Sequence, residues 1–406
     1  MTLLDFLVDL ATNSDLMSRF RRSPRETLHA AGLSEDEQQV VLAGDPVVLR
    51  RTLSSRTGVW WQSASTGISA STPPQPGPTP EPQEEPPHIP EPQFEPAPME
   101  NDPPAIIEPP PDEEPPDLDL DAAENFSVRG QNVEQYQYEE PSSIWSLDGL
   151  TIVGMGIRAG LQMTIETQLC IEQAAKVLYL VADPISEACI KRLSPTAESL
   201  GPMYEVGKPR IEIYETMIAK ILDTLELAGN LCVAFYGHPG VLSYPAREAI
   251  RRARATGRLA RMLPAISTED SLFADLGIDI GSTGLQSYEA TRFLFNKYKF
   301  DSTAGLVLWQ VGVLGETNWN PPHTNVRPRL EVLTDCLVSV YGPTHEIFLY
   351  HAPEFPTSHP LVEKIALSAL PTAEFIAIST LYIPPRGRPE RNNETMQAIS
   401  RVATQN

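Results

Sequence analysis

Phe235-Tyr236-Gly237-His238-Pro239-Gly240-Val241 is the stretch on which the reading of this chain turns. It closes the apolar run Leu231–Phe235, and ligands of parallel α/β sheets gather outside the carboxyl ends of such strands. Working outward, further apolar, β-branched runs occur at Leu150–Val153, Val177–Val181, Gly305–Val311, Ile347–Tyr350 and Ile376–Leu381. Between them lie helical patterns such as Leu161–Ala174 and Tyr214–Leu227. This alternation predicts an α/β domain with a largely parallel sheet. A second glycine-rich turn, Gly154-Met155-Gly156, follows the first of these strands. With Asp183 near the end of the next strand it has the outline of a nucleotide-binding turn, or else is a tight turn that lets a helix pack on the sheet.

The front of the chain is different. Leu3, Phe6, Leu7 and Leu10 recur at helical spacing, and Leu16 and Phe20 continue it. Ser23-Pro24-Arg25-Glu26 reads as an N-cap, a proline at the first helical position and a capping glutamate, with Gly32 as the stop. Ser34-Glu35-Asp36-Glu37 repeats the capping box. Residues 1–52 are therefore expected to form a small all-α domain, too short to be stable without a partner surface.

Residues 73–117 hold 19 of the 40 prolines, mixed with glutamate. Such composition buries no core and favours extended polyproline II, so 73–144 is expected to be a disordered, acidic linker. At full extension, residues 73–124 reach on the order of 160 Å, enough to carry the front of the chain to a site in the same or a neighbouring subunit. The linker also explains the charge. Fifteen acidic residues lie between Glu81 and Glu124, so the formal −22 falls to −7 without them. An acidic chain of this kind argues against nucleic acid, whose phosphates need Lys and Arg. Cys170, Cys189, Cys232 and Cys336 show no metal-ligand spacing and are expected to pack as small hydrophobes. No signal peptide is expected, since Asp5 and Asp9 interrupt the apolar start, and no apolar run reaches about 18 residues. A cytoplasmic protein without metal or membrane is the expectation.

Met262-Leu263-Pro264-Ala265-Ile266-Ser267, Leu308-Trp309-Gln310-Val311-Gly312 and Ser379-Thr380-Leu381-Tyr382-Ile383-Pro384-Pro385 follow the 235–241 turn in order. Together the set resembles the class III methyltransferases of the tetrapyrrole-methylase fold, over about residues 147–387. The resemblance implies a two-subdomain α/β fold over 145–387, with a polar tail at 388–406, that binds S-adenosyl-L-methionine in a cleft between subdomains. Tyr204-Glu205-Val206-Gly207-Lys208-Pro209-Arg210, Tyr214, Ser267-Thr268-Glu269-Asp270 and Phe273-Ala274-Asp275-Leu276-Gly277 carry a closer resemblance, to the borosin peptide α-N-methyltransferases. The helical unit, with Arg21-Arg22-Ser23-Pro24 and Ala31-Gly32-Leu33-Ser34, looks like the leader-type domain of bacterial borosin precursors.

That resemblance implies autocatalytic N-methylation of backbone amides in a ribosomally made peptide carried on the same chain, by a homodimer. Amide nitrogen is a poor nucleophile because its lone pair is delocalised into the carbonyl. It must lose a proton, and the imidate oxygen so formed must be held by preorganised donors. By resemblance Tyr204 or Tyr214 is the base, and Arg210 with Tyr236 holds the oxygen. A guanidinium beside a phenol is expected to lower its pKa. Tyr236, His238, Val241, Ser267, Thr268, Gln310, Ser379 and Thr380 are the expected cofactor contacts. In the fungal members the modified core lies at the C-terminus. This sequence ends soon after Pro385, so the expected core is 57–71, within 53–72: Thr57-Gly58-Val59-Trp60-Trp61-Gln62-Ser63 and the Ala/Ser/Gly/Ile stretch to Ser71. Its bland alternative is a linker or docking strip. Phe126–Tyr138 and Ala105-Ile106-Ile107 are further core candidates. The rival functions are a small-molecule or tetrapyrrole methylase, and a non-catalytic peptide-binding module.

Overall fold

The computed structural model of the protein describes residues 1–57, 148–321 and 326–403. Of the expected core at 57–71 only Thr57, the last residue of a helix, is described; the rest of it, the acidic linker and the further core candidates lie outside the described residues. Five short helices open the chain: α1 (Leu3–Thr12), α2 (Ser14–Arg22), α3 (Pro24–Ala30), α4 (Glu35–Ala43) and α5 (Pro46–Thr57). The pattern through Phe20 breaks at Asn13, whose backbone N–H closes α1 on the Asp9 carbonyl and whose side chain caps α2 by accepting from Asp15 and Leu16 N–H. Ser34 and Glu37 make the expected capping box. Ser23 precedes α3 without a side-chain cap, leaving Pro24 to start that helix through its fixed φ.

The first half of the α/β domain is a parallel sheet ordered β3-β2-β4-β1-β5. Its strands are β1 (Gly149–Gly154), β2 (Lys176–Leu180), β3 (Glu198–Ser199), β4 (Asn230–Phe235) and β5 (Ala260–Met262). Alternate residues of one strand feed opposite cores, as expected of a sheet covered on both faces. Leu231, Val233 and Phe235 pack towards α8 (Arg210–Ala228) and α9 (Tyr244–Ala255). Cys232 and Ala234 face α6 (Ile165–Gln173) and α7 (Pro184–Leu193).

The second half is a mixed sheet, β6-β7-β10-β8-β9, in which only β6 and β7 are parallel. It is built from β6 (Leu285–Glu289), β7 (Gly305–Trp309), β8 (Glu346–His351), β9 (Leu361–Ala366) and β10 (Thr380–Ile383). The two sheets are the two subdomains that the resemblance implied, but the largely parallel character expected from the strand pattern holds only in the first. The run expected at Ile376–Leu381 becomes a strand only from Thr380, because Ser379 folds back so that its N–H donates to the Ile376 carbonyl. One face of this sheet packs on α13 (Arg327–Tyr341). The other face presents Val307, Trp309, Tyr350 and Tyr382 to Ile157 and Leu272 of the first half, with Tyr236 packed against them.

The helical unit shares a core with the α/β domain. Leu3, Phe6, Leu7 and Leu10 are sealed in one cluster with Ala159, Ile185, Cys189 and Phe355. Gly160, at φ +73°, brings its backbone so close to α1 that a Cβ there would lie 2.7 Å from the Ala11 Cβ. Arg192 adds an ion pair to Asp9 at 2.9 Å. Gly44, the left-handed cap of α4, sits against the Thr357 carbonyl, and His359 N–H donates to the Gly44 carbonyl. The partner surface that so small a unit requires is thus supplied by the same chain. Cys170, Cys189 and Cys232 are buried and Cys336 is exposed; all four are free thiols.

Candidate active site

Arg210 opens α8 immediately after Pro209, and a crossing strap from the second half fixes its backbone. Arg210 N–H donates to the Thr317 carbonyl (2.9 Å), Gly207 N–H to the Trp319 carbonyl (2.8 Å) and Trp319 N–H to the Lys208 carbonyl (2.9 Å). The Trp319 indole is the floor of the cluster: its ring lies 4.4 Å from the Tyr204 ring, and the Arg210 guanidinium carbon lies 5.4 Å from its centroid. Such stacking is a cation–π arrangement that keeps a guanidinium flat and oriented. Glu316, whose side chain is 5% exposed, lies between two guanidiniums, 4.0 Å from Arg210 and 3.8 Å from Arg329. Even so, Arg210 Nε and Nη2 are buried without a hydrogen-bond partner among the described residues. Buried N–H groups are almost always paired, so two unpaired donors on one charged side chain are oriented for a missing acceptor.

Tyr204 and Tyr214 join this cluster as expected of an arginine and a tyrosine four residues apart on one helix. Their phenols are hydrogen-bonded to each other. The electrostatics differ from expectation for Tyr204. Burial and the Tyr214 phenol raise its pKa well above the ordinary tyrosine value, and the opposing pull of Arg210 does not offset them. Tyr204 is therefore held protonated, as the donor to Tyr214.

Tyr236 occupies a second neighbourhood. It follows Phe235, which packs with Tyr204 and Tyr214, but the Tyr236 phenol faces Glu354, Arg50 and Asp183. Burial first, then Glu354, raises its pKa well above the usual value, so it too is a proton donor. Asp183 is not placed as a ribose-binding acid: it caps α7, its carboxylate accepting from Ser186 N–H at 2.7 Å.

The turn after β4 folds onto the turn after β1. Gly237 N–H donates to the Gly156 carbonyl at 3.0 Å, and a Cβ on Gly154 would meet the Gly237 carbonyl, Ala265 and Pro239 all within 2.8 Å. His238 braces its own turn, Nδ1 accepting from Gly240 N–H at 2.9 Å. Val241 and Leu242 are exposed, and Leu242 has φ +51°. Ser267 caps α10 (Thr268–Leu276), its hydroxyl donating to Asp270 Oδ2 at 2.7 Å, and Thr268 begins that helix. Across the domain, Gln310 has φ +60°, a left-handed conformation unusual for glutamine. It is locked there because Val311 N–H donates to the Ser379 carbonyl, while Gly312 packs so closely on the Ile376 carbonyl that no Cβ fits. Ser379 and Thr380 are fully buried beside it.

His351, Glu316, Trp319 and Glu354 were not anticipated. Ser379 Oγ accepts from Ile376 N–H and shares a second hydrogen bond with His351 Nε2 at 3.2 Å. Burial lowers the His351 pKa, and its Nδ1 has no partner among the described residues. His351 ends β8, and that position at a strand end was the only signal open to sequence reasoning.

Residues 149–302 match the family of Tetrapyrrole (Corrin/Porphyrin) Methylases. A methyltransferase/ribosomally synthesized cyclic peptide precursor for gymnopeptides, from Gymnopus fusipes, is 37% identical over 63% of this chain and 61% of its own length. A type I borosin cyclic peptide precursor from Coprinopsis marcescibilis is 39% identical over 58% of this chain and 62% of its own. The omphalotin A precursor of Omphalotus olearius is 36% identical over 64% and 63%. This chain therefore spans about three fifths of the length of each relative. With the family match and the paired α/β halves in hand, residues 149–302 resemble a tetrapyrrole-methylase domain, in a chain similar over about three fifths of its length to methyltransferase–peptide precursor fusions, the Coprinopsis one of the borosin type.

Proposed function

We propose that this chain is an S-adenosylmethionine-dependent methyltransferase that N-methylates backbone amides of a peptide segment on its own polypeptide, within 53–72. We include in the proposal that it works as a cytoplasmic homodimer, one subunit's segment entering the other's site. The observation that carries the reading is Arg210, with two buried N–H groups lacking an acceptor beside a hydrogen-bonded pair of phenols. An amide oxygen gaining negative charge is such an acceptor. The relatives are named as methyltransferases joined to cyclic peptide precursors, which agrees in chemistry.

The residues present suit the cofactor. Uncharged hydroxyl and amide groups of Gln310, Ser379 and Thr380 lie close together, His351 bonds to Ser379, and Arg158 Nε is buried without a partner among the described residues, a donor suited to a carboxylate. S-adenosylmethionine, when bound, would supply a methyl group on a sulfonium, the S–C bonding pair staying on sulfur. Arg210 and its unpaired N–H groups draw charge onto the peptide carbonyl oxygen, making the amide N–H acidic. In this reading Tyr214 acts, in its phenolate form, as the base that takes that proton, with the protonated Tyr204 hydroxyl beside it. The amide nitrogen lone pair then forms the N–CH3 bond, and Tyr214 returns its proton to solvent. Tyr236, kept protonated, is available as a donor on the side facing Glu354 and Arg50. Proximity of nitrogen and methyl supplies the rest of the acceleration.

Intact mass of the purified chain should show species heavier by whole methylene units, located within 53–72 by tandem mass spectrometry. Arg210→Ala should remove them. A chain of unchanged mass after incubation with the cofactor would refute the proposal.

A further inference from the structure

Arg50, on α5, reaches out of the helical unit to Glu354, which follows β8 in the α/β domain. The pair is buried: the Arg50 side chain is 13% exposed and that of Glu354 8%. Its position is not peripheral. The Glu354 carbonyl accepts from Ala159 N–H at 2.7 Å, just beyond the turn that pairs Gly156 with Gly237. Tyr236, Asp183 and His351 all lie within electrostatic reach of both Arg50 and Glu354. Glu354 Oε1, His351 Nδ1, Arg158 Nε and Thr357 Oγ1 are buried here without partners among the described residues.

Attachment does not require this pair. The apolar seam of Leu7, Leu10, Ile185 and Phe355 and the Asp9–Arg192 contact already hold the helical unit. A buried ion pair adds little net stability, because desolvation offsets the attraction, whereas removing one partner strands the other charge. Without Arg50, Glu354 would be a lone buried carboxylate facing Asp183 and the Tyr236 phenol, and its loop would have to move to reach water.

We propose that Arg50 is a positioning residue for methyl transfer: it holds Glu354 and its loop against the Tyr236 side of the site, so that the site is assembled only while the N-terminal helical unit is docked. This rests on the methyltransferase reading above. The front of the chain then does two things, presenting the peptide and completing the enzyme that modifies it. Undocking switches the site off rather than merely removing its substrate.

The test uses the full chain, following mass gain with time at several cofactor concentrations alongside the melting temperature. Arg50→Gln should lower the rate at saturating cofactor by about 10- to 100-fold, the scale of a small misplacement near reacting groups. Arg50→Lys should recover most of that loss, and the reversed pair Arg50→Glu with Glu354→Arg should exceed either single variant. Arg51→Gln, exposed on the same helix, should match wild type. Leu28→Ala, in the core of the helical unit, should melt at least as early as Arg50→Gln yet keep its rate below the transition. An Arg50→Gln rate within about twofold of wild type, or an equal loss in Leu28→Ala, overturns the inference while leaving the methyltransferase reading in place. A wild-type chain that never gains mass overturns both.

Discussion

Asp183→Asn should make this protein more stable at neutral pH, against the usual direction of mutations. Asp183 is 4% exposed, and burial raises its carboxyl from 3.8 to about 6 despite the Ser186 hydrogen bond; Glu354 adds to the rise and Arg50 opposes it. A folded-state pKa above the unfolded one means the native protein holds this proton more tightly than the open chain. The resulting stability is fully present below about pH 4 and is lost as pH rises through about 6. Two units correspond to about 3 kcal/mol, which is the cost of the ionised carboxylate at neutral pH. Asparagine caps a helix as well as aspartate and is never charged. It forgoes only the stronger, charge-assisted bond to Ser186 N–H. The expected gain is therefore about 1–3 kcal/mol near pH 7.5, shrinking towards zero near pH 4. Urea unfolding followed by circular dichroism at both pH values measures it. A variant less stable than wild type near pH 7.5, or a gain undiminished near pH 4, would refute the account of a buried, unwillingly ionised Asp183.

Tyr214→Phe should cost about 10²- to 10⁴-fold in the rate of mass gain, as for a lost general base. Tyr204→Phe should cost less, about tenfold, because it removes one hydrogen bond to the phenolate; equal losses would refute the division of roles. Gly160→Ala places a Cβ 2.7 Å from Ala11 at a left-handed φ and should destabilise the seam by about 1–3 kcal/mol, read as faster amide exchange across α1. Gln310→Gly relieves a left-handed backbone and should stabilise the fold by up to about 1 kcal/mol, while calorimetry shows weaker binding of S-adenosylmethionine.

Elements with strong local signals were legible in the sequence, and those defined by tertiary context were not. Leu150–Val153 and Leu231–Phe235 announce themselves because both faces of a central parallel strand are buried. β9 (Leu361–Ala366) is mostly exposed and carries Glu363 and Lys364, so its pairing with β8 left no apolar signature. Ser34 and Glu37 spell a capping box in four residues; the break at Asn13 lies within a continuous apolar pattern that a single helix would satisfy equally well. At the candidate site, Tyr204, Arg210 and Tyr214 are close in sequence and came together in space. Trp319, which supports two of them, comes from another subdomain and resembles any core tryptophan. The Tyr204 pKa was misjudged for a related reason: the neighbouring guanidinium is visible in the sequence, whereas burial is a property of the fold. Arg50 and Glu354 are 304 positions apart, and neither sits in a recognisable motif.

The seam sealed by Phe6, Leu7, Ile185 and Phe355 bears on modularity. Grafting a foreign front end onto this α/β body would leave two loops, around Gly160 and Thr357, and the Cys189 face of α7 cut to the shape of helices no longer there. Exchange between such proteins must then transplant those surfaces with the helices, or tolerate hydrophobic area opened to water.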